Sequence, residues 1–218
     1  MDRREFLKIA GTAVATLAVR EGVGALVTEG MKKGKKVVAI NGSPNLEGNT
    51  HYALSLMGDE FAKENVDFSI LSIGREKIKG CIACMTCKET GECPFATDRE
   101  LEIIEQMKNA DAIVLASPVY YGGIAGTMKQ FLDKAFYSAG DSFAHKLGAS
   151  VVTENHSGGS VTTESLNQYL LIRQINVVAS SYWNVIKGHG KEAIRADEEG
   201  ERTIRTLAIN IANALKNQ

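Results

Sequence analysis

The sequence predicts an α/β fold in which one parallel β-sheet carries helices on both faces. Short β-branched runs alternate along the chain with segments whose apolar residues recur at helical spacing, and this alternation is typical of βαβ units. The hydrophobic content of 44% and the charged content of 23% are ordinary for a globular protein. The net charge of −1 gives no general basic field, so no nucleic-acid partner is expected.

The first segment of the chain, residues 1–31, is similar to a twin-arginine export signal. Arg3 and Arg4 are followed by Phe-Leu-Lys and then by an uncharged run from Ile9 to Val19, which is too short to cross a bilayer. Asp2 stands where the pattern usually has Ser or Thr, no clean A-x-A cleavage site is present, and the alternative is an amphipathic helix. We expect export after folding to a periplasmic or membrane-associated location, with only transient membrane contact.

Residues 35–218 are then expected to form one domain, with a cysteine-rich insertion at 80–95. Five strands are predicted in order at 35–41, 66–73, 111–118, 148–155 and 176–185. The helices between and after them are predicted at 49–65, from about 98 to 109 with Asp98 as the cap, at 126–137, at 160–175 and from about 198 to 216. Five strands in this pattern fit either the flavodoxin-like order 2-1-3-4-5 or a truncated dinucleotide fold.

The loop after the first strand is a candidate phosphate site, because ligands of open parallel sheets bind beyond the carboxyl ends of the strands. It contains neither G-x-G-x-x-G nor G-x-x-x-x-G-K-[ST], so a dinucleotide or a nucleoside triphosphate is disfavoured. Hydroxyl and amide side chains with free helix amides can instead hold a monophosphate. The candidates are Ser43, Asn45, Gly48, Asn49 and Thr50. The alternative is an ordinary strand-to-helix turn.

This loop resembles that of the NADPH-dependent FMN reductases and iron–sulfur flavoproteins of the flavodoxin-like superfamily. Their loop has the pattern G-S-P-R-x-x-G-N-T, and Asn45 stands here where arginine is common. The resemblance covers roughly residues 35–185, and it implies the flavodoxin-like order 2-1-3-4-5 with FMN as cofactor. It also implies that the loop after the third strand runs beside the flavin ring; its candidates are Pro118, Val119, Tyr120, Tyr121 and Gly122. Paired tyrosines are otherwise commonly core or interface residues.

The loop after the fourth strand commonly closes over the flavin in this family. Its candidates are Asn155, His156, Ser157, Gly158 and Gly159. His156 is a weak candidate for a proton source, since a single loop histidine is more often simply solvated. The other histidines, His51, His145 and His189, show no catalytic spacing and receive no role.

All four cysteines of the chain lie within thirteen positions, as Cys81-x2-Cys84-x2-Cys87-x5-Cys93 followed by proline. Four thiolates at this density can hold a [4Fe–4S] cluster, and the spacing resembles that of iron–sulfur flavoproteins. Three alternatives stay open. Zinc usually requires two C-x2-C pairs with a longer spacer, two disulfides would require an oxidising compartment, and some family members retain partial cysteine sets.

The resemblance implies an FMN-dependent oxidoreductase that moves electrons between a donor, FMN and a [4Fe–4S] cluster. NAD(P)H or ferredoxin is a possible donor, but no basic site for a nicotinamide dinucleotide is evident, and the acceptor is equally open. One alternative is an NAD(P)H-dependent FMN or quinone reductase with structural cysteines. Another is a flavodoxin-like electron carrier.

The position of the cysteines also predicts an oligomer. Their loop follows the second strand, at the sheet edge, whereas the flavin ring is expected over the loops after the third and fourth strands. We therefore expect a homodimer or homotetramer in which the cluster of one subunit approaches the flavin of another.

Overall fold

A computed structural model describes residues 34–218, which form one sheet between two layers of helices. The strands are β1 Lys36–Asn41, β2 Asp67–Ser72, β3 Ala112–Tyr120, β4 Gly123–Ile124, β5 Leu147–Glu154, β6 Asn176–Val177 and β7 Val185–Lys187. Their order is β2-β1-β3-β5, with β6 and β7 both paired to β5, and these pairings are all parallel. The predicted flavodoxin-like fold and the order 2-1-3-4-5 are confirmed, since β5 is the fourth predicted strand and β6 with β7 the fifth.

The helices lie close to their predicted positions. They are α1 Asn49–Lys63, α2 Cys87–Thr90, α3 Asp98–Lys108, α4 Gly126–Ser138, α5 Gly159–Ile172, α6 Lys191–Ile194 and α7 Glu198–Lys216. A short 3-10 turn, Gly140–Phe143, follows α4. Of the helices in the described part of the chain, none combines the length and apolar character needed to span a membrane. The predicted export segment, residues 1–31, lies outside the described residues.

The central strands are buried on both faces because helices cover each side of the sheet. In β1, Val38 and Ile40 pack with α3, α4 and α5, whereas Val37 and Ala39 pack with α1 and α7. Successive side chains of a strand point to opposite faces, so a strand between two helical layers needs an almost continuous apolar sequence. The sequence VVAI of β1 meets this requirement.

The third strand is longer than predicted. It continues past Pro118 to Tyr120 and then turns back as β4, with Val119 opposite Ile124. The two turn residues, Tyr121 and Gly122, have φ values of 50° and 75°, as expected for a two-residue hairpin turn of type I′. Tyrosine is an unusual residue for the first of these positions, which explains why the sequence did not indicate the hairpin.

The fifth strand is not the continuous run 176–185 that we expected. Residues 178–184 leave the sheet between β6 and β7. Ser180 lies at the centre of this detour: its Oγ is 2.6 Å from the Tyr182 carbonyl oxygen and 2.5 Å from Asn184 Oδ1, and its one hydroxyl proton can be donated to either. Serine side chains compete in this way with the ladder bonds of a strand.

The cap of α3 also differs from the prediction, because Thr97 precedes the helix and Asp98 is its first residue. Thr97 Oγ1 accepts a hydrogen bond from the Glu100 amide, and Glu100 Oε2 accepts one from the Thr97 amide. This reciprocal capping box satisfies two helix-end donors.

Candidate functional site

A cavity lies at the carboxyl edge of the sheet, where β1, β3, β5 and β7 end. With the open space above it, the cavity measures about 680 Å³. Its lining residues come from all four of these strand ends: Ser43, Asn45, Gly48, Asn49, Thr50, Pro118, Val119, Tyr120, Thr153, Glu154, Asn155, Gly188 and Gly190. The cavity therefore includes every candidate from the first loop, three from the third and one from the fourth.

The first loop is shaped by short polar contacts. The buried Asn41 accepts a hydrogen bond from the Ser43 amide at 3.0 Å, and Ser43 Oγ accepts one from the Asn45 amide at 3.2 Å. The chain then enters α1 through Gly48, which has no side chain to cap the helix. The first amides of α1 consequently face a loop rich in hydroxyl and amide groups, which is an arrangement that suits an anion.

Two side chains of α1 fix the loop against neighbouring strand ends. Thr50 Oγ1 lies 2.9 Å from Thr153 Oγ1 at the end of β5, and both side chains are buried. Asn49 donates through Nδ2 to the carbonyl of Gly188 at 3.1 Å. The first loop is thus held by the ends of β5 and β7, at the same edge of the sheet.

The segment after β2 packs against the first loop from outside. A Cβ on Gly74 would lie 2.0 Å from the carbonyl oxygen of Ser43, so only glycine fits at this position. Beside it, Arg75 Nε donates to the carbonyl of Pro44 at 2.7 Å. The base of the cysteine-bearing segment and the first loop therefore share a backbone contact.

The hairpin after the third strand supplies one wall. Pro118, Val119 and Tyr120 line the cavity, and Tyr120 is 48% exposed. The turn residues Tyr121 and Gly122 are not among the lining residues. Tyr121 is fully exposed to solvent, and it is Tyr120 that presents its ring at the cavity.

The fourth loop divides two cavities. Asn155 lines the first cavity, whereas His156, Ser157, Gly158 and Gly159 line a neighbouring one. Tyr182 and Trp183, both exposed, form the far wall of this second cavity. The third and fourth loops touch, since a Cβ on Gly158 would lie 2.9 Å from Gly122 Cα.

Four lining residues were not predicted. Thr153 and Glu154 end β5, and Gly188 and Gly190 follow β7. The buried Glu154 accepts the Gly159 amide at 2.7 Å, and its other oxygen lies 3.4 Å from Lys187 Nζ. The sequence Gly-His-Gly after the fifth strand was the signal that could have indicated Gly188 and Gly190, because glycines at the same edge as the other loops allow close approach of a ligand.

His189 lies within this Gly-His-Gly and joins the fourth loop, although the sequence gave it no role. Its Nδ1 is 2.8 Å from Asn155 Oδ1, and Asn155 Nδ2 is 3.2 Å from His156 Nε2. Asn155 thus links two histidines at the rim of the cavities. Proton exchange with a bound ligand is chemically possible for either imidazole.

The four cysteines line a separate cavity. Cys81 and Cys84 are exposed, Cys87 is buried, Cys93 is half-buried, and all four are free thiols. Within residues 34–218, no three His, Cys, Asp or Glu side chains are grouped as ready-made metal ligands. All four cysteines nevertheless line one cavity, which measures about 360 Å³ with the open space above it.

The backbone of the cysteine loop adopts an unusual conformation. Ala83 and Met85 have φ values of 55° and 68°, in the left-handed region that few residues other than glycine enter. These two residues flank Cys84. Hydrogen bonds from the backbone and side chain of Thr86 lower the pKa of the Cys84 thiol, which favours the thiolate, the form that binds metal.

Helix α4 forms the floor of the cysteine cavity through Lys134 and Tyr137, neither of which was predicted. Tyr137 Oη donates to Met85 Sδ at 3.1 Å, and Lys88 Nζ donates to the Tyr137 carbonyl at 3.1 Å. These contacts hold the part of the loop around Met85 and Lys88 on α4. Four cysteines that line one cavity are a donor set of the type that iron–sulfur clusters and zinc use.

A family profile described as NADPH-dependent FMN reductase matches residues 35–190. The chain belongs to this family. An iron–sulfur flavoprotein of Methanocaldococcus jannaschii is 32% identical over 83% of this chain and 97% of its own length. One of Archaeoglobus fulgidus is 30% identical over 83% and 91%. The structure of an archaeal flavodoxin has a TM-score of 0.57 at 17% identity, covering 83% of this chain and 99% of its own.

As a member of the FMN reductase family, the chain is a flavin-dependent oxidoreductase with FMN as its cofactor. The match begins at β1 and ends just after β7. It therefore includes all four strand ends that form the carboxyl-edge cavity, as well as the cysteine loop.

We predict that Gly74→Ala weakens FMN binding at least tenfold. The added methyl group would overlap the Ser43 carbonyl, so the first loop must shift away from α1. Fluorescence titration of the apoprotein with FMN measures the effect. Gly126→Ala, whose Cβ would meet no atom within 4 Å, is the control and should retain wild-type affinity. Equal affinities of the two variants would contradict the role given to the Gly74 contact.

Proposed function

We propose that the carboxyl-edge cavity binds FMN and that the cysteine cavity holds a [4Fe–4S] cluster, so that the protein transfers electrons between a donor, FMN and the cluster. The observation that carries this proposal is the meeting of the first, third and fourth loops around one cavity, with the four thiols gathered in another. FMN supplies the capacity to take two electrons together and to release them singly. The cluster supplies a one-electron site.

The phosphate end of FMN is assigned to the first loop. Ser43 and Thr50 offer hydroxyl groups, and Asn45 and Asn49 offer amides beside the free amino end of α1. Asn45 replaces the arginine that is common in the family, so the loop relies on neutral donors. Such donors can satisfy a phosphate without a side-chain cation.

The ring end is assigned to the hairpin after the third strand. Tyr120 offers a flat face, and Pro118 and Val119 exclude water from one side. Asn155, held between His156 and His189, lies on the other side of the same cavity. The chain can thus enclose the ring between the third and fourth loops while leaving one approach open to a donor or acceptor.

The cluster assignment is supported by three observations. The cysteine spacing is compact, all four cysteines line one cavity, and the relatives from M. jannaschii and A. fulgidus are named as iron–sulfur flavoproteins. The alternatives are zinc bound by the same thiols and disulfide bonds formed between them. Each has a different metal content and spectrum.

Anaerobic purification with an iron and sulfide count tests this assignment. We expect about four irons per chain and an absorption spectrum in which a broad cluster band underlies the flavin bands. Cys84→Ser should lose the iron but retain FMN, because Cys84 lies outside the flavin cavity. Glu89→Gln, at an exposed position of α2 outside the cysteine cavity, is the control and should retain both. Bound zinc, or iron retained by Cys84→Ser, would contradict the cluster.

An NAD(P)H-dependent FMN or quinone reductase is the second candidate function, favoured by the family description. Steady-state oxidation of NADPH or NADH with a quinone acceptor distinguishes the two. In an iron–sulfur electron-transfer protein, we expect turnover with a quinone to fall at least tenfold in Cys84→Ser. In a simple reductase with structural cysteines, turnover would persist in that variant, and tight FMN binding without any turnover would indicate an electron carrier.

The assembly and location follow as proposals from the same reasoning. We propose a homodimer or homotetramer that brings the cysteine cavity of one subunit to the flavin of another, and light scattering on the holoprotein measures its mass. A monomer with rapid cluster–flavin electron transfer would defeat this proposal. We also propose export by the twin-arginine route on the basis of Arg3 and Arg4. Retained export of an Arg3→Lys/Arg4→Lys variant would refute it.

A further inference from the structure

A buried ion pair lies behind the cysteine cavity. Lys134 Nζ on α4 is 2.6 Å from Glu100 Oε1 on α3, and each side chain is only 1% exposed. Lys134 also donates to the carbonyl of Phe95 at 3.3 Å, two residues after Cys93. The pair therefore connects the closing half of the cysteine loop to two helices.

Stability alone does not account for these charges. Desolvation of two charges commonly costs as much as their attraction returns, so a buried pair is often no more stabilising than apolar residues of similar size. The capping box of α3 does not require the charge either. Glu100 serves it by accepting the Thr97 amide, and a glutamine fills that position equally well in such motifs.

We propose that this ion pair sets the reduction potential of the cluster. In this proposal the positive charge of Lys134 favours the reduced state. The proposal rests on the cluster assignment made above. It extends that assignment to two residues outside the cysteine loop, on α3 and α4.

The orientation of the pair supports this role. Lys134 is one of the residues that line the cysteine cavity, whereas Glu100 lies behind it. Lys134 is therefore the member of the pair that lies at the wall of the cysteine cavity. Among residues 34–218, Lys134 is the only lysine that lines this cavity, and no arginine, aspartate or glutamate lines it. In a site with mainly apolar walls, its charge is screened less than it would be in water.

The direction of the effect follows from charge. A cluster held by four thiolates carries a net negative charge, and this charge increases by one when the cluster is reduced. A fixed cation at the cavity wall stabilises the more negative state more strongly, and net charge near a cluster is one of the factors that set its potential. Removal of the cation should therefore lower the potential, whereas removal of the anion that opposes it should raise the potential.

Redox titration of the anaerobic holoprotein, monitored by electron paramagnetic resonance, tests this proposal. Lys134→Met should lower the cluster potential and Glu100→Gln should raise it, each by at least tenfold in the reduction equilibrium, which is 59 mV for a one-electron couple. Lys134→Arg should stay close to wild type. The FMN potential, followed by absorbance in the same samples, should change much less.

Lys146→Met is the matched control. Lys146 is a half-buried lysine that also supports α3, where its Nζ donates to the carbonyls of Lys108 and Ala110 at the far end of the helix. It lies outside the cysteine cavity. Its loss should reduce stability and leave both potentials unchanged.

A purely structural role gives a different result. Lys134→Met and Glu100→Gln would then both lose iron, and the clusters that remain would titrate at the wild-type potential. If Lys134→Met fails to fold, Glu100→Gln decides alone, since an unchanged or lowered potential in that variant overturns the proposal. A wild-type protein without iron and sulfide would overturn this inference together with the cluster, while FMN binding by the carboxyl-edge cavity would stand.

Discussion

The burial of the parallel sheet on both faces is the constraint on which the rest of the structure depends. Helices cover each side of the central strands. Because the strands of this sheet are parallel, each connection is a crossover and the strands end at the same edge. The first, third, fourth and fifth strand ends must therefore meet. Polar and glycine residues that lie far apart in sequence, such as Thr50 and Thr153, become neighbours for this reason. The carboxyl-edge cavity is a consequence of topology, and the side chains of the loops determine what it binds.

The cysteine loop follows a different principle. It leaves the edge strand β2 and contacts α4 through hydrogen bonds of Lys134 and Tyr137. Strained backbone at Ala83 and Met85 has a cost of order 1–3 kcal/mol per residue. Such a cost persists only where a surrounding contact or a bound group compensates for it. In this loop, the two strained residues lie on either side of Cys84.

The sequence predicted the fold well because the β-branched runs and helical periodicities are strong local signals. Ser43, Asn45 and Thr50 line one cavity with Pro118 and Tyr120, because residues just after parallel strands share an edge; their predicted role in binding FMN stays a prediction. The sequence could not predict the split of the fifth strand, which depends on the contact between Ser180 and Asn184. Nor could it show that Asn155 and His156 line different cavities. Neighbouring residues of a loop point their side chains in different directions, and a loop has no periodic sequence pattern from which those directions can be predicted.

The contact of Gly74 with Ser43 connects the base of the cysteine-bearing segment to the first loop. The same segment that leads into the cysteines rests on the first loop, which is the proposed phosphate site, through the backbone of Gly74 and the Arg75–Pro44 hydrogen bond. Backbone packed this closely has little freedom to move independently. A shift in the first loop on ligand binding would therefore reach the base of the cysteine loop directly. The carboxyl-edge cavity and the base of the cysteine loop are thus joined by backbone packing at the β1–β2 side of the sheet.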